Sequence, residues 1–238
     1  QDLAFRIHPI AYIPPMSRTC ACIVCDGEPA SSEVLREFVE RCSLIIAADG
    51  GIEQLKQIGV VPDLLIGDMD SAAEALTGGA AGAEIIRYPQ DKNESDSELA
   101  VVEALKRGAD RVLLLSAAGK RSDHFFSNLA ILTRHAGRVF LVDGNFAVFS
   151  LDAETSGSRL KIEQHKRLSV FSFGESVQGL AVSGTKWELN DVTIQAGSLG
   201  LSNEATGAAV TISIQSGTLL VFAECRPDDI EVEPRPVE

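Results

Sequence analysis

No apolar run in the chain approaches the roughly 18–20 residues a membrane-spanning helix requires, which argues against an integral membrane protein. Residues 1–16 lack a basic segment followed by an apolar core, so no secretory leader is expected. Positive charge is scarce: 21 Lys and Arg against 34 Asp and Glu leave a formal net charge of −13. That balance disfavours a primary role on nucleic acid, where lysine and arginine must displace the counterions of phosphate. Cysteine is sparse too, five residues unevenly placed, too few for a disulfide framework. Cys22 and Cys25 form a C-x-x-C, but positions three apart on a strand face opposite ways, and no second pair with metal-ligand spacing follows. Core thiols in a reduced, cytoplasmic setting are expected. There is no G-x-x-x-x-G-K-[ST] run, which disfavours a P-loop NTPase. Nor is there an internal repeat, or a low-complexity tract apart from the small-residue stretch 77–83, read as a loop.

What remains is ordinary for a soluble globular protein, with 45% hydrophobic and 23% charged residues in 238. That length allows one large domain or two modest ones. The periodicity favours two. As far as about residue 150, short apolar runs (20–25, 44–48, 64–66, 84–88, 112–116, 139–142) alternate with helical segments (32–40, 52–58, 96–107, 123–135). Such alternation implies βαβ units and a mostly parallel sheet covered on both faces. From about 155 the pattern turns to short strand-like stretches split by Gly, Ser and Asn, at 159–163, 168–173, 179–182, 192–195, 209–214 and 218–222. These read as a compact antiparallel sandwich or barrel. Residues 17–152 are therefore expected to form a Rossmann-like α/β domain and 153–238 an all-β sandwich domain, joined through 150–158.

In parallel sheets ligands bind beyond the carboxyl ends of the strands, and four polar clusters fall there. Asp49-Gly50-Gly51 follows the run 44–48; its glycines permit a tight turn and close approach to a ligand, and equally suit a plain strand-to-helix connection. Gly67-Asp68-Met69-Asp70-Ser71 follows 64–66. Two carboxylates one residue apart can reach one hard cation such as magnesium, or one of them can cap the next helix. In the segment Lys92 to Leu99, Ser95 and Glu98 fit a capping box; Asp96 completes a cation site or simply suits the helix dipole. Gly119-Lys120-Arg121-Ser122-Asp123-His124 follows 112–116 and opens a helix. Arg121 can grip phosphate oxygens bidentately, Ser122 or Asp123 can cap, and His124 is a candidate general base or a packed residue. Four such segments at successive strand ends point together to metal-assisted phosphoryl chemistry.

The ordered set of these motifs resembles the thiamin pyrophosphokinases. The likeness continues in Gly184-Thr185-Lys186-Trp187-Glu188-Leu189 and in Gly197-Ser198-Leu199-Gly200-Leu201-Ser202-Asn203-Glu204, and covers about residues 20–222. The resemblance implies an α/β nucleotide-binding domain followed by a β-sandwich, in a homodimer whose active sites lie between subunits. It implies Mg2+ on Asp68, Asp70 and Asp96 with Asp49 beside them, and an ATP site using Asp49, Gly50, Gly51, Lys92, Arg121, Asp123 and His124. Trp187 would pack on thiamin, with Ser202, Asn203 and Glu204 bordering it. A sole tryptophan in a small β domain is otherwise a core residue. Two departures stand out: Asn93 sits where the family commonly has an acidic residue, and Lys120 replaces a glycine. That lysine adds a phosphate contact or constrains the loop.

The reaction so implied is transfer of pyrophosphate from ATP to the thiamin hydroxyl, with Asp70 or Asp49 accepting the hydroxyl proton. A haloacid-dehalogenase-type phosphatase also carries Asp-x-Asp after a strand, but after its first strand, whereas Asp68 follows the third apolar run. A non-catalytic thiamin or nucleotide binder is the alternative that the two departures favour.

Overall fold

The computed structural model describes residues 19–68, 82–155 and 157–233. Asp70 and most of the stretch 77–83 lie outside them.

β1 (Cys20–Val24) is shielded from solvent at every position, because it runs through the middle of a sheet covered on both faces. Beside it run β2 (Leu44–Ala48), β3 (Leu64–Gly67) and β4 (Glu84–Arg87) on one side, with β5 (Arg111–Leu115) and β6 (Val139–Asp143) on the other, all parallel. The crossovers include α1 (Ser32–Arg41), α2 (Gly51–Gln57), α3 (Asp96–Lys106) and α4 (Ser122–Arg134). The order β4-β3-β2-β1-β5-β6 reverses between β1 and β5. Such a reversal opens a crevice at the strand ends.

The sheet continues past the parallel strands. β7 (Phe146–Leu151) turns back antiparallel on β6 and is followed across the sheet by β14 (Leu219–Ala223), β9 (Arg167–Ser172) and β12 (Gly200–Glu204). A second, antiparallel sheet has the order β11-β10-β13-β8-β15. Its strands are β8 (Gly157–Lys161), β10 (Val177–Ser183), β11 (Leu189–Ile194), β13 (Ala209–Ser213) and β15 (Ile230–Glu233). Leu160, Leu180, Val210 and Ile212 of this sheet share one core with Phe149, Val170, Leu219 and Val221 of the large one. The two sheets therefore pack face to face as a sandwich. The fold is thus α/β, with a mostly parallel Rossmann-like part followed by an antiparallel sandwich. β7, β12 and β15 are elements that the sequence pattern left unassigned.

Cys22 and Cys25 are buried in the cores on opposite faces of the sheet, and all five cysteines are free thiols. Among the described residues, no helix is long and apolar enough to cross a membrane.

Candidate functional site

Loops from β1, β2, β3 and β5 and the entry to α3 meet at the crevice and enclose a cavity of about 530 Å³. Its walls carry Asp49, Asp68 and Asp96, together with Lys92, Arg121 and His124. The strand-end clusters, up to 75 residues apart in sequence, therefore converge. Asp49 sits in the left-handed region, with φ 49°, and its N–H donates to Ile66 O at 2.8 Å, which ties the β2 and β3 loops together. Burial, then the charges of Asp96, Asp26 and Asp68, push the Asp49 carboxyl above the ordinary range. Carboxylates that repel one another in a partly shielded cleft provide oxygen donors for a hard cation.

Asp26 belongs to the cavity as well. It was missed in the sequence, although it follows the first strand just as Asp49 and Asp68 follow the second and third. Lys120 Nζ donates to Asp26 Oδ1 at 2.8 Å, and Lys92 Nζ to Asp96 Oδ1 at 2.6 Å. Two lysines thus act as internal counter-ions for a crowded acidic site. Among the described residues no three carboxylate, histidine or cysteine side chains are arranged to enclose an ion as they stand.

Beneath the cavity a buried polar clasp fixes the loops. Ser116 Oγ donates to Gln54 Oε1 at 2.7 Å, Gln54 Nε2 donates to Cys25 O at 3.0 Å, and Ser116 Oγ accepts from Ala30 N at 3.1 Å. Asn128 Nδ2 adds a 2.7 Å bond to Ala117 O. The glycines here serve close packing. A Cβ at Gly51 would lie 2.0 Å from Val24 O, and one at Gly50 would lie 2.7 Å from the Asp26 carboxylate. Neither glycine lines the cavity.

Ser95 caps α3 through Glu98 N, as the capping box suggested, but the Glu98 carboxylate turns to Arg134 on α4. The N-cap position of α4 is Arg121, without a side-chain cap bond, so Ser122 and Asp123 do not play that part. Asp123 instead pairs with Arg121, which holds its carboxyl down at about 2, and it does not line the cavity.

A second cavity, of about 310 Å³, is lined from β9 and β12 at the edge of the large sheet and from β10 and β11 at the edge of the second. It is lined by Leu168, Val182, Trp187, Leu189, Leu199 and Leu201, with Ser202 and Asn203. Trp187 is 56% exposed on the turn between β10 and β11, and Lys186 Nζ lies 4.6 Å from its ring centroid. Asn203 clasps that turn: its Oδ1 accepts from Trp187 N at 3.1 Å and its Nδ2 donates to Trp187 O at 2.7 Å. Ser202, with φ 60°, donates its N–H to Ser169 Oγ. Glu204 pairs with His165 at 2.6 Å and does not line the cavity.

Residues 35–141 match the model of the thiamin pyrophosphokinase catalytic domain, and residues 158–219 match that of the thiamin pyrophosphokinase vitamin B1 binding domain. The chain belongs to the thiamin pyrophosphokinase family. It is 27% identical over 213 residues to the thiamine pyrophosphokinase of Bacillus subtilis, an alignment covering 84% of this chain and 96% of the relative. Among thiamin pyrophosphokinase crystal structures, that of the Bacillus subtilis enzyme superposes with a TM-score of 0.75 at 24% identity, covering 87% of this chain and 99% of that one. The yeast enzyme superposes with a TM-score of 0.72 at 13% identity, covering 91% and 89%. At such identities these structural likenesses speak for the fold. In family terms, the acidic cavity lies within the catalytic-domain match except for Cys25, Asp26 and Gly27, and the apolar one lies within the vitamin B1 binding match.

Proposed function

We propose that this enzyme transfers the pyrophosphoryl group of ATP to the hydroxyl of thiamin, giving thiamin diphosphate and AMP. The observation that carries the reading is the convergence of Asp49, Asp68 and Asp96 on one crevice, in a chain that belongs to this family. The donor set suits Mg2+: all oxygen, overcharged, and already drawing lysines as counter-ions. Asp68 and Asp96, with Asp70, would hold the ion, which when bound neutralises polyphosphate charge. Lys92, Arg121 and His124 face the same space and would orient the phosphates. Asp49 or Asp70 takes the proton from the thiamin hydroxyl as it attacks the β-phosphorus, and AMP leaves. Positioning and charge neutralisation supply most of the rate in such transfers.

Thiamin is assigned to the apolar cavity, its cationic ring against Trp187. Among the described residues the two cavities share no lining side chain, and the homodimer with active sites between subunits, which the family resemblance implies, would supply the missing contact between them. On this reading residues 17–152 serve ATP and Mg2+ while 153–238 serve thiamin, in the cytoplasm. Incubation with ATP, Mg2+ and thiamin should yield AMP and thiamin diphosphate in equal amounts. EDTA should stop turnover and excess Mg2+ should restore it, while Asp70→Ala and Asp96→Asn should be folded and inactive. ADP in place of AMP, or wild-type turnover in Asp70→Ala, would overturn the assignment.

A further inference from the structure

Lys120 occupies a place in the backbone where a lysine is costly. Gly119 and Lys120 are both left-handed, with φ of 70° and 43°. Glycine adopts that region freely, whereas a residue with a Cβ is strained there. The Lys120–Asp26 ion pair is half exposed at each end, with side-chain exposures of 45% and 50%. Surface pairs of that kind contribute little to stability. Holding the loops together therefore does not account for a lysine at this position; the buried Ser116–Gln54 clasp already does that.

Its surroundings do account for it. Lys120 lines the acidic cavity together with Arg121 and His124 and with Asp49, Asp68 and Asp96. Lys92, the other lysine there, is engaged by Asp96 and largely covered. Lys120 has a long flexible stem, a strongly hydrated ammonium and, among the described residues, an exposed carboxylate partner in Asp26, so its charge can be transferred at small cost. We infer that Lys120 is a phosphate-binding residue, parked on Asp26 and transferred to a polyphosphate oxygen of the nucleotide when ATP enters. The exchange trades one charge-assisted hydrogen bond for another. It leaves Asp26 as a free carboxylate inside the site.

This inference rests on the ATP reading above, and calorimetric titration tests the two separately. The full chain would be titrated with α,β-methylene-ATP in Mg2+, a nucleotide that cannot be cleaved at the bond broken here, and with adenosine. Variants Lys120→Gly and Lys120→Gln would be compared with wild type; glycine relieves the left-handed strain, and glutamine keeps the bulk without the charge. Both should bind the analogue about five- to tenfold more weakly, the loss expected for one hydrogen bond to a charged group set against a lost ion pair. The deficit should shrink as salt is raised. Adenosine affinity should be unchanged, and the melting temperature of Lys120→Gly should not fall. Equal analogue affinity in variants and wild type would overturn the role of Lys120 while leaving the ATP site standing. An equal loss for adenosine would show that the side chain merely shapes the loop. Failure of the wild type to bind the analogue would overturn the ATP reading itself.

Discussion

Trp187 illustrates how far a single residue can be read. As the sole tryptophan of a β-rich half it would ordinarily be assigned to the core, yet it stands 56% exposed on the wall of the apolar cavity. Lys186 already holds a cation over its ring, a place that a thiazolium could take with the same electrostatic benefit. Trp187→Ala should raise KM for thiamin about tenfold, a loss between those of an exposed and of a desolvated cation–π contact, while leaving KM for ATP unchanged. The loss of so exposed a side chain should move the melting temperature little, and Trp187→Phe should restore part of the affinity. Because no other tryptophan is present, quenching of its fluorescence by thiamin reads binding without turnover. The acidic residues were legible for a different reason: Asp49, Asp68 and Asp96 stand at strand or helix boundaries that periodicity reveals. Asp26 obeys the same rule but is masked by the C-x-x-C that precedes it. The Gln54–Ser116 clasp left no local signal, since its partners are 62 residues apart.

Whole elements were easier to read where they are helical or parallel than where they are antiparallel. The six parallel strands and four helices announce themselves by apolar runs and caps. β7 did not, although Gly144-Asn145 forms a two-residue hairpin loop before it and Gly144 has φ 56°, a strong local turn signal. Its sequence, apolar and buried almost throughout, has no alternation from which to read a sheet face. Long-range pairing is also where charge acts on elements. Glu224, just past the end of β14, accepts from Arg167 N at 3.2 Å and from Lys166 Nζ at 3.3 Å, closing β9 onto β14. The Arg167 backbone N–H, more than the neighbouring Lys166 and Arg167 charges, holds its carboxyl below the usual glutamate range against the effect of burial. A depressed carboxylate contributes stability above its unfolded pKa, and that stability is lost as pH falls through the folded one. Glu224→Gln should therefore cost about 1 kcal/mol in urea unfolding at pH 7. The difference should narrow as pH falls below the ordinary glutamate range and close once the folded state, too, has bound the proton. A deficit that persists unchanged into acid would mean that packing, not charge, links the two strands.

At the scale of the whole molecule, the division of labour between the two halves is not a division of the structure into separate cores. β7 precedes residue 152 and β14 follows it, yet the two pair along their length from Ala147↔Ala223 to Leu151↔Leu219. Phe149 and Leu151 pack in the same core as Leu160, Val210 and Ile212 of the second sheet. A chain ending at 152 would expose an apolar strand edge and one wall of that core. Such an edge recruits other chains. The full chain should therefore unfold in one calorimetric transition, with calorimetric and van't Hoff enthalpies in agreement, and a 17–152 fragment should aggregate instead of forming a monodisperse species. Two resolved transitions, or a soluble fragment with native-like circular dichroism, would show that the halves fold independently. The continuous sheet also has a functional consequence. The acidic crevice at the β1/β5 reversal and the apolar cavity beside β12 are mounted on one hydrogen-bonded scaffold, so the spacing between the two cavities of one chain is set by strand packing and not by a flexible linker.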